Sequence, residues 1–356
     1  MLNKAAIKDQ LKIALQSAWY ERGQLSFLIQ FSIIALLWPL SQVYKFLAFA
    51  DRQLYRLGVL KVQQVSVPVV VVGNIVAGGG GKTPTVIALA QHLQAQGVQV
   101  GIISRGYGRT SAECLEVTEN SPVSEVGDEV ASVLIVLKAP IFVANKRYDA
   151  ASALLKAYPQ TQVIVSDDGL QHHALRHDLA IVVFDDRGLG NGMLLPAGPL
   201  RESSVKTQNS LVLHTGNHPA ALQNLQNLTV PPFTARRALA SYALRADSSK
   251  VALADLNQQT NLLALAGIAN PEAFFSMLRA QGLNLAETMA LPDHHDFNYN
   301  FDSYLGNKYA GYSLICTVKD AVKLWRIRPD ALAVPLEFEP EPAFFAAFDT
   351  ILKPLL

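Results

Sequence analysis

Three textures of hydrophobic and polar positions follow one another along the chain. The first is an uncharged stretch from Gly23 to Tyr44, centred on the apolar run Leu25 to Leu40. Sixteen helical residues rise about 24 Å, short of a hydrocarbon core of ~30 Å, and extension to Tyr44 makes a span possible. Ser26, Gln30, Pro39, Ser41 and Gln42 weaken it, and Lys45, Arg52, Arg56 and Lys61 follow closely. Trp38 and Tyr44 stand at one end, where headgroups favour amphipathic rings. Glu21 precedes the run and no small-residue cleavage site follows, which argues against a cleaved signal peptide. Two readings remain: a helix in or on a membrane, or a buried core helix. The basic flank favours the first, at a cytoplasmic face carrying anionic lipid.

The second texture begins after Ser66, where short apolar runs alternate with helical stretches. Strands are expected at 67–73, 98–104, 140–144, 162–166 and 179–184, and helices at 82–96 and 147–157. Continuous Val/Ile runs between helices indicate a mostly parallel sheet covered on both faces. The third texture, 222–249, is polar with Pro231-Pro232 and reads as a linker with strands. Apolar runs at 261–267 and 313–317 then restart the alternation. The expected organisation is therefore an N-terminal membrane-associated segment (1–66), a P-loop NTPase-like α/β core (67–221), the linker (222–249) and a smaller α/β unit (250–356).

Composition narrows the function. The 356 residues carry 30 Lys and Arg against 29 Asp and Glu, a net charge of +1, with 17% charged and 50% apolar residues. Disorder and a bundle of membrane helices are both excluded. Wholesale nucleic-acid binding, which needs a concentrated basic face, is not expected. Cys114 and Cys316 cannot build a disulfide framework or a zinc quartet, and a reducing compartment fits.

The first candidate chemistry follows the strand at 67–73. Asn74-Ile-Val-Ala-Gly-Gly-Gly-Gly-Lys-Thr83 leads into a helix, the setting a phosphate loop requires. Backbone N–H groups of Gly78, Gly79, Gly80 and Gly81 can turn around phosphate oxygens, Lys82 can reach the β- and γ-phosphates, and Thr83 can ligate Mg²⁺. With Asn74 these are the candidate nucleotide-binding residues. Val76 stands where the usual pattern has its first glycine. A plain glycine-rich turn is the competing reading, and the loop alone separates neither kinase, ATPase nor GTPase.

Phosphoryl transfer also needs carboxylates to hold metal and orient the nucleophile. The strand at 162–166 ends in Asp167-Asp168-Gly169-Leu170-Gln171-His172-His173, where ligands of α/β sheets bind. An Asp-Gly turn is the bland alternative. Gly127-Asp128-Glu129 precedes an apolar helix, and Asp128 alone could be an N-cap. Asp293-His294-His295, taken alone, reads as surface decoration or a local hydrogen bond.

Together these segments strongly resemble the tetraacyldisaccharide 4'-kinase family. The carriers are GNIVAGGGGKTP (73–84), SRGYGR (104–109), VGDE (126–129), SDDGLQHH (166–173), LPAGPLRE (195–202), GIANPEAFF (267–275), PDHH (292–295) and TVKDAVKL (317–324). Val318 replaces the family's usual Glu, and Leu170 its usual aromatic. The resemblance implies transfer of the ATP γ-phosphate to the 4'-hydroxyl of a tetraacyl glucosamine disaccharide 1-phosphate. That step belongs to lipid A biosynthesis at the cytoplasmic face of the inner membrane. It makes Asp128 the base and His294 its partner, and places Glu129, Asp167, Asp168 and Gln171 near metal and phosphates. Thr83, Glu129, Asp167 and Asp168 become the expected Mg²⁺ set, and Arg147, Gln171, Arg201 and Glu202 line the cleft. A membrane-associated P-loop switch ATPase is the alternative, although the signature Lys of its dimerising members is here Ala77. A GTPase lacks its guanine-reading motif, because Asn145-Lys146-Arg147-Tyr148-Asp149 has one residue too many. Acyl-chain preference and oligomeric state are not legible.

Overall fold

The computed structural model describes residues 14–20, 27–203, 209–216 and 230–356, apart from positions 79, 269, 294, 296 and 298. The chain folds into two compact units, each assembled from separated stretches. One comprises residues 1–82, 163–235 and 340–356, and the other 83–162 and 236–339. The consecutive division at 66, 221 and 249 expected from the sequence does not describe these units. The physical reason is sheet order: strands distant in sequence pair, so compactness does not follow chain order.

In the first unit, five strands lie side by side in the order Pro232–Leu239, Ser210–His214, Leu179–Phe184, Val69–Gly73, Val163–Asp167. All their pairings are parallel. Val69–Gly73 and Val163–Asp167 are buried at every position, as continuous β-branched runs demand when both faces are covered. The register sets Val72 opposite Asp167, so the end of the loop-bearing strand faces the first acid. The C-terminal helix Pro342–Leu352 belongs to this unit too. Its Phe344 meets Phe233 edge-on at 5.8 Å, and Glu341 accepts the Thr234 N–H at 3.1 Å. The expected C-terminal domain thus surrenders its last seventeen residues.

The second unit holds a six-stranded sheet in the order Lys250–Ala252, Tyr242–Leu244, Leu332–Val334, Ser313–Thr317, Leu262–Ala266, Leu285–Ala290. Its last four members are parallel. It also holds Val100–Ser104 parallel to Ile141–Val143, and the helices Asp128–Val136 and Arg147–Ala157.

The N-terminal apolar stretch forms one helix, Phe27–Arg56, with Pro39 inside it. The core-helix reading fails, because only 6% of its apolar window is buried. Leu28, Phe31, Leu36 and Phe46 are among its strongly exposed side chains. A second face, spaced by helical turns, docks onto the first unit. Ser41 Oγ donates to the Leu194 carbonyl at 2.8 Å, and Tyr44 OH to that of Arg201 at 3.1 Å. Tyr55 meets His173 edge-on. Arg52 pairs with Glu202 at 2.6 Å. Tyr44 and Arg52 are therefore docking residues rather than headgroup contacts. Arg52→Met should lower stability by about 2 kcal/mol, because it leaves the buried Glu202 carboxylate without its cation. Lys45→Met, at an exposed position, should stay within about 0.5 kcal/mol. Denaturant unfolding of the two variants in one detergent checks the contrast.

Candidate active site

The loop after Val69–Gly73 is shaped by backbone that only glycine adopts easily. Gly78 and Gly81 have φ of 105° and 87°. Asn74 is buried, and its amide donates to the Gly78 carbonyl at 2.8 Å. Thr215 Oγ donates to the Gly80 carbonyl at 2.8 Å. Both side chains bind carbonyls of the loop, so Asn74 acts as a brace. Outside the loop, Ala77 N–H donates to Pro199 O at 2.7 Å and Arg201 N–H to Ile75 O at 2.6 Å. The LPAGPLRE segment is a strap along the loop's entry. The helix Lys82–Ala95 starts at the motif lysine, which puts Thr83 in its first turn. Gly79 lies outside the described residues.

Asp167 closes its strand and is buried, while Asp168 turns away with φ of +47°. Such a conformation is uncommon for a residue with a side chain and is tolerated best by Asn and Asp. Lys82 Nζ lies 3.7 Å from Asp168 Oδ1, and Arg201 Nη1 lies 3.4 Å from the same oxygen. Gln171 connects the next layer. Its Nε2 donates to Asn74 O at 3.1 Å and to Glu202 Oε1 at 3.0 Å, and its Oε1 accepts from Arg201 at 3.3 Å. Lys82, Asp168, Gln171, Arg201 and Glu202, expected separately from the sequence, thus form one network, and Arg52 closes it. Two cations on one half-exposed carboxylate can turn to phosphate oxygens.

The remaining candidates belong to the second unit. Gly127, with φ of 93°, precedes the helix Asp128–Val136. The N-cap is therefore Gly127, and Asp128 is the first helical residue, contrary to the capping alternative. Asp128 is buried and pairs with Lys323 Nζ at 3.1 Å. Lys319 lies one turn before Lys323 on the helix Val318–Leu324, 2.9 Å from Asp293 and 3.9 Å from Glu129. Burial opposes the Lys319 charge, but its hydrogen bond to Asp293 and the charges of Asp293, Asp128 and Glu129 outweigh it and raise its pKa. Between the lysines, Asp320 accepts from Gly267 N–H at 3.0 Å and Thr317 Oγ at 2.7 Å. It ties the GIANPEAFF and TVKDAVKL motifs together. Burial raises its pKa against those hydrogen bonds.

Arg147 is buried at the start of its own helix. His294 lies outside the described residues. Its neighbour His295 meets Phe297 and Phe301 edge-on, each at 5.1 Å. Asp128 and the segment carrying Asp293 and His295 share one unit, although the sequence division assigns them to different domains. Among the described residues, no three His, Cys, Asp or Glu side chains converge as a metal cage. Sequence reading missed the ion pairs of Lys319, Lys323, Arg52 and Arg187. A findable signal existed for Arg187: Asp185-Asp186-Arg187-Gly188 follows the strand Leu179–Phe184, at the sheet end where ligands of α/β folds bind.

A parallel sheet, a braced glycine loop with its lysine, and an acid pair on the neighbouring strand define a P-loop nucleotide-binding α/β protein. Comparison with known proteins sharpens this class. The family model for tetraacyldisaccharide-1-P 4'-kinase matches residues 33–353. Tetraacyldisaccharide 4'-kinase of Polaromonas naphthalenivorans is 52% identical over 354 residues, covering 97% of this chain and 96% of that one. The enzyme of the same name from Herminiimonas arsenicoxydans is 40% identical over 326 residues, covering 89% and 87%. Among solved structures, the "apo" form of LpxK from Aquifex aeolicus in complex with ATP superposes with a TM-score of 0.74. It shares 27% identity and covers 90% of this chain and 99% of that one. The chain belongs to the tetraacyldisaccharide 4'-kinase family.

Proposed function

We propose that this protein transfers the γ-phosphate of ATP to the 4'-hydroxyl of a tetraacyl glucosamine disaccharide 1-phosphate, a step of lipid A biosynthesis. The observation that carries the reading is the family match over residues 33–353, joined to a braced phosphate loop bearing Lys82. The cradle suits ATP, since side chains at Gly78 or Gly81 would disturb the left-handed backbone. Lys82 and Arg201 hold the phosphates. Magnesium fits the donor chemistry of Thr83, Asp167 and Asp168, all hard oxygens, with Glu129 as a further candidate. This metal takes most of its ligands from phosphate and water, so a full protein cage is not required. When bound, it supplies neutralisation of phosphate charge. Asp128 accepts the proton of the attacking sugar hydroxyl, His294 is its expected partner, and Gln171, Arg147 and Glu202 are candidates for substrate contact.

The exposed apolar face of Phe27–Arg56 supports attachment to the cytoplasmic face of the inner membrane, where the acyl chains of the substrate reside. Replacing Leu28, Phe31, Leu36 and Phe46 together with serine should move the protein into the soluble fraction while ATP binding persists. Flotation with anionic vesicles checks it. The function is tested by incubating the protein with ATP, Mg²⁺ and a lipid A disaccharide 1-phosphate in detergent micelles. A bisphosphorylated lipid is the expected product, and ATP hydrolysis without it would overturn the reading.

A further inference from the structure

The phosphate loop has a support that neither its own motif nor the acid pair supplies. A β-carbon placed on Gly78 would sit 2.7 Å from Arg187 Nη1, so the guanidinium lies directly against the loop. Arg187 is held on its other sides. Its Nε and Nη2 donate to Asp185, with Nη2 at 2.7 Å from Oδ2. Its charge also lies 5.6 Å from the centre of the Tyr20 ring, over the ring face. Asp185 and Tyr20 raise the Arg187 pKa even though burial opposes its charge.

Tyr20 belongs to the helical segment 14–20, which precedes the apolar helix and is itself anchored. Trp19 Nε1 donates to Pro196 O at 3.0 Å, and Asn191 N–H donates to Trp19 O at 2.7 Å. A β-carbon on Gly190 would stand 2.8 Å from Trp19 O and 3.1 Å from the Tyr20 ring. The segment lies in close contact with the backbone at 190–196. A continuous stack therefore runs from the leader through Tyr20 and Arg187 to Gly78.

We propose that Arg187, backed by Tyr20, is a positioning residue for the phosphate loop. By this contact the leader before the membrane helix forms part of the nucleotide site. Arginine suits the role because its planar fork binds a carboxylate while its face stacks on an aromatic ring, which lysine does not match. Asp185 absorbs the charge, so Arg187 acts through the shape it imposes on Gly78. The proposal rests on the P-loop reading but needs no lipid acceptor.

The test is calorimetric titration of ATP with Mg²⁺ into the full-length protein in detergent, without lipid. ATP binding by the wild type upholds the P-loop reading on its own; its absence would sink both that reading and the proposal. Arg187→Ala should weaken ATP binding about tenfold, and Tyr20→Leu about three- to tenfold, the range of a partly desolvated cation–ring contact. Tyr20→Phe, which keeps the ring face, should restore affinity to within about twofold of wild type, and Arg187→Lys should not. In the Arg187→Ala background, Tyr20→Leu should have no further effect, as expected if it acts only through the guanidinium. In a separate turnover assay, KM for the lipid should hold in all four single variants. Multiplicative losses in the double variant would overturn the proposal. So would unchanged ATP affinity in Tyr20→Leu together with a lowered melting temperature, which would reduce the stack to ordinary packing.

Discussion

Lys82→Ala lowers kcat for lipid phosphorylation by about a hundred- to a thousandfold, the cost of removing one donor aimed at developing charge. The fold should persist, because Lys82 sits at a helix start and, among the described residues, its charge meets the half-exposed Asp168 at 3.7 Å. Asp168 keeps Arg201 at 3.4 Å in the variant, so it is not stranded. The loop's shape comes from Asn74, Thr215 and the strap at 195–202, none of which depends on the lysine. Circular dichroism and melting temperature should therefore match the wild type while turnover collapses. Near-normal turnover would remove the P-loop assignment.

Asp128→Asn should cut kcat by about a hundred- to ten-thousandfold, the usual contribution of a general base, with KM for ATP unchanged. Asparagine keeps the volume and can still accept from Lys323, now 3.1 Å from the carboxylate, so misfolding would not explain the loss. Asp128 and the described residues flanking His294 belong to one unit. His294→Ala should lower kcat too, and the double variant should lose far less than the product of the singles. Metal ligation is the competing role for Asp128; rescue of Asp128→Asn by high Mg²⁺ would establish it and sink the base assignment.

Much of this was legible because it is local. The strands at 179–184 and 313–317 and the helix at 147–157 stand where the apolar pattern places them. The glycine loop could be read because its strand, turn and helix are contiguous. Ion pairs were not legible, since nothing in spacing links Arg52 to Glu202 across 150 positions or Asp128 to Lys323 across 195. Arg52 shows the cost. Among Lys45, Arg56 and Lys61 it looks like one more contact for lipid, and only folding shows it docked against a buried glutamate. Asp128 errs the other way: an acid before an apolar run reads as a cap, while Gly127 with its left-handed backbone takes that place. The make-up of the two compact units was not legible, because pairing between distant strands leaves no mark in composition.

The helix Pro342–Leu352 gives the discontinuous first unit a timetable. Phe344 and Phe348, both fully buried, are synthesised after every strand of that sheet. Until they emerge, the sheet that carries the phosphate loop lacks one of its covers. The apolar helix Phe27–Arg56, by contrast, precedes every strand in the chain. A nascent chain thus carries its exposed apolar helix while the sheet of the nucleotide site is still unfinished, an order that leaves that helix in need of shelter from water before the site can close.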